Sequence, residues 1–215
     1  MSVPGRAEAA ALLLSLDPPP RLVRHSRAVA EVAGYLATGI ASRGIAIDRR
    51  LVESAALLHD VDKALARSDP LRALPHGEGS AMWVRRHGCP ELAPIVANHP
   101  VTCLAGRPVE GVNAWSGFES IEAAVVSYAD KRARQTLIPM ATRFAIWRRK
   151  YPVAPVGSAD PWSEDRVAGI AERAARLESD VCAAAGIEPT AVRRLRWTDR
   201  ALAAVATERR AAAGR

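Results

Sequence analysis

An all-α fold is predicted by three observations. Apolar residues recur at steps of three and four in almost every segment, the period of one helix face. No stretch alternates apolar and polar residues for long enough to build a sheet. Proline and glycine fall between the periodic segments, where they start and stop helices. The expected architecture is a helical bundle with a C-terminal helical hairpin packed on it. Residues 1–150 are expected to form the main helical domain and residues 151–215 an extension of the same globule.

Taken in order, residues 6–16 read as a short helix ended by Asp17-Pro18-Pro19-Pro20. The next helix, 20–42, carries Leu22, His25, Val29, Val32, Leu36 and Ile40 on one stripe, so His25 must point inward. Gly44 breaks the chain, and Asp48 can cap a helix over 49–60 that runs into His59-Asp60. His76 to Ala81 opens a further helix that closes at His87-Gly88. Were His76 and His87 both on it, they would stand about 16 Å apart along the axis and could not share an ion. His87 is read as a helix-end residue and Asp62 as an exposed turn acid. Pro90 starts a helix running to His99 and stopped by Pro100. The stretch 100–118 has no clear period; Trp115 and Phe118 near its end can stack on a base or anchor the loop. Residues 119–134 are helical, with Ala123, Val126 and Asp130 on one stripe. A helix over 138–150 ends in Arg148-Arg149-Lys150, and residues 151–161 read as a linker. Asp160-Pro161 starts a long helix stopped by Gly186, and a last, Arg-decorated helix covers 189–212.

Composition narrows the class. Apolar residues are 49% of the chain, enough for a well-buried core, and the net charge of +7 favours anionic ligands. The three cysteines, Cys89, Cys103 and Cys182, are odd in number and widely spaced, with no CxxC, which points to a reducing cytoplasm. The run Ala9–Leu14 is too short to span a membrane. No GxSxG elbow, Walker loop, HExxH or Rossmann glycine pattern occurs.

What remains is a set of metal-capable side chains. His59 and Asp60 are neighbours, and neighbours on a helix diverge by about 100°. They can converge only at a helix end, where the backbone departs. His25, His76, His99 and Asp130 join them from other segments, as helix bundles build metal sites from facing helices. Imidazoles and carboxylates without thiolate suit hydrolytic or oxygen-activating first-row metals. Four ligands, His25, His59, Asp60 and Asp130, can hold one ion; His76 and His99 would serve a second, bridged by Asp60.

This order resembles the HD-domain superfamily of metal-dependent phosphohydrolases. Arg24-His25-Ser26, His59-Asp60 and Tyr128-Ala129-Asp130-Lys131 match its core pattern in order and spacing, over about residues 20–150. His76 and His99 match the binuclear branch, and Lys63 matches a lysine common there. That branch includes symmetrical diadenosine tetraphosphate hydrolases and cyclic-dinucleotide phosphodiesterases. The Gly-Tyr-Pro signature of the latter is absent, and Lys131-Arg132-Ala133-Arg134 departs from the residues of the former.

The resemblance implies an HD-domain-like bundle and a phosphohydrolase acting on a phosphate ester or phosphoanhydride of a small nucleotide-like substrate, by metal-activated water. It implies a divalent cofactor of two ions, with iron or manganese ranked ahead of zinc or magnesium. Asp60 and Lys63 are the expected catalytic pair; Lys63, Lys131, Arg132 and Arg134 are expected to collect phosphate oxygens. Two alternatives stand beside this reading. One is a di-iron oxygenase on the same ligands; the other is a basic nucleic-acid-binding module without catalysis, ranked low because aromatics are not interleaved with the basic residues. A homo-oligomer fits either way.

Overall fold

The computed structural model describes residues 3–106, 117–134, 136–160 and 162–193. Trp115 and the last helix beyond residue 193 lie outside them. Among the described residues every named element is helical, and strand-type pairing is confined to isolated bridges, Ala133 with Leu137 and Ala154 with Ser163. In chain order the helices are α1 (Arg6–Leu14), α2 (Pro20–Ser42), α3 (Arg49–Leu58), α4 (Glu78–Arg86) and α5 (Ala93–Ala97). They continue as α6 (Ile121–Arg132), α7 (Met140–Lys150), α8 (Glu164–Ala185) and α9 (Pro189–Arg193). No helix is long and apolar enough to cross a membrane, among the described residues.

The centre is built from α2, α3 and α6, which pack on one another. Along α2 the stripe Leu22, Val29, Val32, Leu36 and Ile40 is buried. In α6 every residue but Glu122 is buried, as expected of a helix that runs through a core. Asp48 caps α3 by accepting from the Leu51 amide at 3.0 Å. Its own amide donates to Glu122 at 3.0 Å, which fixes the start of α3 against α6.

The periodless stretch after Pro100 begins with a 3-10 helix, Val101–Gly106. Val101 and Leu104 are both buried. Their spacing of three is the period of that helix rather than of an α-helix, so the α-helical template does not find it. Phe118 is fully buried in the core.

Helix α8 begins at Glu164, after the expected Asp160-Pro161 start. The Ala154 amide donates to Trp162 O (3.1 Å) and the Glu164 amide to Ala154 O (2.9 Å), closing the intervening residues into a loop. Gly186 ends α8 with φ +68, the left-handed conformation that glycine adopts without strain. The α8 stripe of Ile170, Ala174, Leu177 and Val181 is fully buried, and α8 packs on α2 and α6. At about 2 kcal/mol for each large apolar side chain, this burial outweighs any surface ion pair on the helix.

Candidate metal centre

The end of α3 makes the central turn. His59 keeps helical backbone angles (φ −58, ψ −32), whereas Asp60 leaves the helix (φ −113, ψ 22). The departure turns two side chains that would diverge into one space. His25 reaches it from α2 and Asp130 from α6; His99 follows directly on the end of α5. His76 does not begin α4, as the sequence pattern had it: it precedes Gly77, the N-cap residue, whose φ is +93. A Cβ at Gly77 would sit 2.7 Å from Ala97 O, so glycine is needed there for both reasons. The turn frees His76 from the helix axis and sets its ring edge-on to His99, with centroids 4.7 Å apart.

Five of the six side chains fall into two groups that share Asp60: His25, His59 and Asp60, and Asp60, His76 and His99. On one side Asp60 Oδ2 lies 3.6 Å from His25 Nε2 and 3.5 Å from His59 Nε2. Asp130 Oδ1 completes that side, 3.2 Å from His25 Nε2 and 3.7 Å from His59 Nε2. On the other side Asp60 Oδ1 lies 3.5 Å from His99 Nε2 and 3.8 Å from His76 Nε2.

Backbone carbonyls set the tautomers. His59 Nδ1 lies 2.7 Å from Ala56 O and His99 Nδ1 2.6 Å from Val96 O. Each Nδ1 therefore carries the proton and each Nε2 turns a lone pair toward the cluster, the arrangement typical of metal-bound histidine. Burial works to push the Asp60 carboxyl up, but His59, His99 and Lys63 hold it well below the usual carboxylate range. Asp130 is likewise held down, against burial, by His25, His59 and Arg143. Burial lowers His99, and burial with His99 and Lys63 beside it lowers His76 to about 3. His59 is raised, because Asp60 and Asp130 outweigh its burial.

These residues fit a metal. His99 Nε2 is buried and makes no hydrogen bond. An unsatisfied buried imidazole nitrogen is costly unless something accepts its lone pair. Donors bound to one ion at 2.0–2.2 Å in tetrahedral geometry stand about 3.4 Å apart; the separations in the first group, 3.2 to 3.7 Å, bracket that figure, and those in the second, 3.5 and 3.8 Å, lie just above it.

The family model of the HD domain matches residues 22–135, just over half of the chain. The chain belongs to the HD-domain family. Its two-histidine, two-carboxylate set of His25, His59, Asp60 and Asp130 lies inside the match, as do His76 and His99. HD domains are all-α, bind divalent metals and are typically metal-dependent phosphohydrolases, which this helical fold and its histidine and aspartate groups fit. Comparison with curated proteins and with solved structures gave no match.

The HD cluster opens into a cleft of about 600 Å³ lined by His25, Asp60, Asp130 and several cations. Lys63 lies at its edge, half exposed, with Nζ 2.7 Å from each Asp60 oxygen. Arg134 lines the same cleft from an exposed position. Lys131 and Arg132 do not reach it and cannot collect phosphate oxygens. Lys131 is fully buried and donates to His99 O (2.9 Å), Ser127 O (3.0 Å) and Ser127 Oγ (2.7 Å), so it steadies the backbone behind His99. Arg132 is buried on the α8 side, donating to Ile138 O (2.8 Å), Glu178 (2.7 Å), Pro189 O (3.0 Å) and the Tyr128 hydroxyl. Helix α6 is surrounded, so the Lys131 and Arg132 side chains at its end meet protein on every side.

Asp62 is buried too, rather than an exposed turn acid, and accepts from Ser80 Oγ at 2.7 Å. His87 stacks on Trp83 at the end of α4, away from the cluster. Sequence reasoning missed Arg143 of α7, whose Nη2 lies 3.6 Å from Asp130 Oδ1. Its basic neighbours at the end of the helix hid it, and nothing in its spacing from Asp130 signals the contact.

Proposed function

We propose that this protein is a binuclear phosphohydrolase that cleaves a phosphate ester or phosphoanhydride of a nucleotide-like small molecule. The observation that carries the reading is the division of Asp60: one carboxylate oxygen faces His25 and His59, the other His76 and His99. A carboxylate so placed suits a bridge between two ions. His25, His59, Asp60 and Asp130 would hold the first, and Asp60, His76 and His99 the second. Iron or manganese suits this nitrogen and oxygen set. Such ions supply a nucleophile from water near neutral pH and neutralise charge on the phosphoryl group.

The chain's own residues do the rest. Buried Lys131 and Ala56 O orient His99 and His59 from behind. Lys63 keeps its ammonium at the mouth of the cluster, where it can pass from Asp60 to a phosphoryl oxygen as charge builds there. Arg134, at the cleft surface, can hold a further phosphate. The cationic lining favours a phosphate substrate over the oxygenase reading. The cysteines, none joined in a disulfide among the described residues, fit a cytoplasmic setting.

Metal content by plasma mass spectrometry, with phosphate release from dinucleoside polyphosphates and nucleotides, tests this. Protein purified without chelator should carry about two equivalents, falling to about one in His76→Ala and near none in Asp60→Ala, with release lost in both. No bound metal, no uptake on adding iron or manganese, and no release would end the enzyme reading. Oxygen consumption without phosphate release would replace it with the oxygenase.

A further inference from the structure

Part of the cleft wall is made by residues that lie beyond the family match, which ends at residue 135. Arg143, Trp147 and Tyr151 come from α7 and its end, and Trp162 from the loop that leads into α8. These side chains form one assembly. The Arg143 guanidinium lies over the Trp147 ring, 4.9 Å from its centroid. Tyr151 and Trp162 stack at 4.7 Å with their planes 9° apart, and Trp147 stands 6.5 Å from Trp162. The backbone bonds between Ala154, Trp162 and Glu164 hold Trp162 in place. None of the three rings is fully buried, and all three line the cleft that contains the metal-ligand cluster.

Arg143 is the link between the rings and the cluster. Its side chain is 13% exposed, its Nη2 faces Asp130, and its Nε is buried without a hydrogen-bond partner. A guanidinium that lines the cleft beside a site for phosphoryl chemistry is suited to an anionic oxygen. Lys150, 4.9 Å from the centre of the Tyr151 ring, adds a second cation on the same wall.

We propose that this wall is a nucleoside-phosphate subsite: Arg143 holds a phosphate of the substrate and the Trp147, Tyr151 and Trp162 rings take its base. The proposal rests on the phosphohydrolase reading for what happens next, but the binding itself does not need turnover. Aromatic faces accept any base, so the subsite selects for a planar ring attached to phosphate rather than for one base. A pure packing role for the aromatics would give no preference for ring-bearing ligands.

The test is calorimetric binding of ATP and of inorganic tripolyphosphate to the full chain in chelator. Wild type should bind ATP about tenfold more tightly than tripolyphosphate, a ratio set by stacking. Trp147→Ala should bring the ratio to near one, and Trp147→Phe should restore it in part. Arg143→Ala should weaken both ligands about tenfold while keeping the ratio. Circular dichroism of each variant checks folding, and Lys150→Ala, at an exposed position, should weaken both ligands. Equal binding of ATP and tripolyphosphate by wild type, or no binding of either, would overturn the subsite. So would unchanged binding in Trp147→Ala and Arg143→Ala. Selective ATP binding with no metal-dependent phosphate release would overturn the hydrolase and leave the subsite standing. Release with no ATP preference would do the reverse.

Discussion

The imidazoles of the cluster respond to protons in opposite ways, and this sets how metal uptake varies with pH. His76 is lowered to about 3, and burial also lowers His99, so neither imidazole holds a competing proton in the neutral range. His59 is raised above its ordinary 6.5, because its two carboxylate neighbours outweigh its burial. A protonated imidazole cannot ligate, so the proton on His59 competes with the ion. The sign follows: as pH falls through the raised value of His59, metal affinity falls. In metal-free protein the same shift works the other way, giving stability below 6.5 that is lost as pH rises through the folded value. Titration of Mn²⁺ into metal-free protein between pH 5.5 and 8.5 should show affinity dropping about tenfold per pH unit on the acid side. A flat profile would remove His59 from the ligand set. The sequence exposes these ligands because each is a rare polar residue on an apolar stripe or at a helix end. It does not expose the fate of Lys131 and Arg132. They follow Asp130 directly and look like a phosphate-collecting run, but α6 is surrounded, and burial rather than sequence proximity decides where they point.

Among the elements, α6 and α8 are joined by a buried ion pair. The Arg132 side chain is 2% exposed and pairs with Glu178 of α8 at 2.7 Å. Tyr128 donates to the same carboxylate at 2.9 Å. Removing one partner of a buried pair leaves the other uncompensated. Glu178→Ala should therefore destabilise the fold by about 3 kcal/mol, measured by urea unfolding, whereas Glu178→Gln should recover part of the loss by keeping an acceptor. A loss below about 0.5 kcal/mol would mean that Arg132 finds water instead. The helices themselves are legible because periodicity, proline and glycine agree at α2, α3, α6 and α8. The exceptions have a common cause in turns that an α-period cannot register. Gly77 lifts His76 off α4, a three-residue period shapes 101–106, and the closed loop before α8 moves its start to Glu164. The contact of α7 with the site was not legible at all, because it depends on how the turn after α6 redirects the chain.

At the scale of the whole molecule, the proposed metal cluster would work as a strut. Its ligands come from α2, the end of α3, the turn before α4, the end of α5, and α6, so bound ions would tie five segments that are otherwise held by packing. An ion that binds the folded chain and not the unfolded one stabilises it by about 2.7 kcal/mol at a hundred times its Kd. For a domain of this size each kcal/mol moves Tm by about 2–4 °C. Stripping one ion should then lower Tm by about 5–10 °C, and stripping two by about twice that. His76→Ala, which removes a ligand from one group only, should keep about half the chelator-induced drop. Asp60→Ala removes the carboxylate common to both groups, so its Tm should no longer respond to chelator. Differential scanning fluorimetry with and without chelator on the three proteins separates the cases. If His76→Ala matched wild type in its full response, the second group would hold no ion. A response that persisted in Asp60→Ala would place the stabilising metal somewhere other than this cluster, and the division of the Asp60 oxygens would then reflect charge balance among histidines alone.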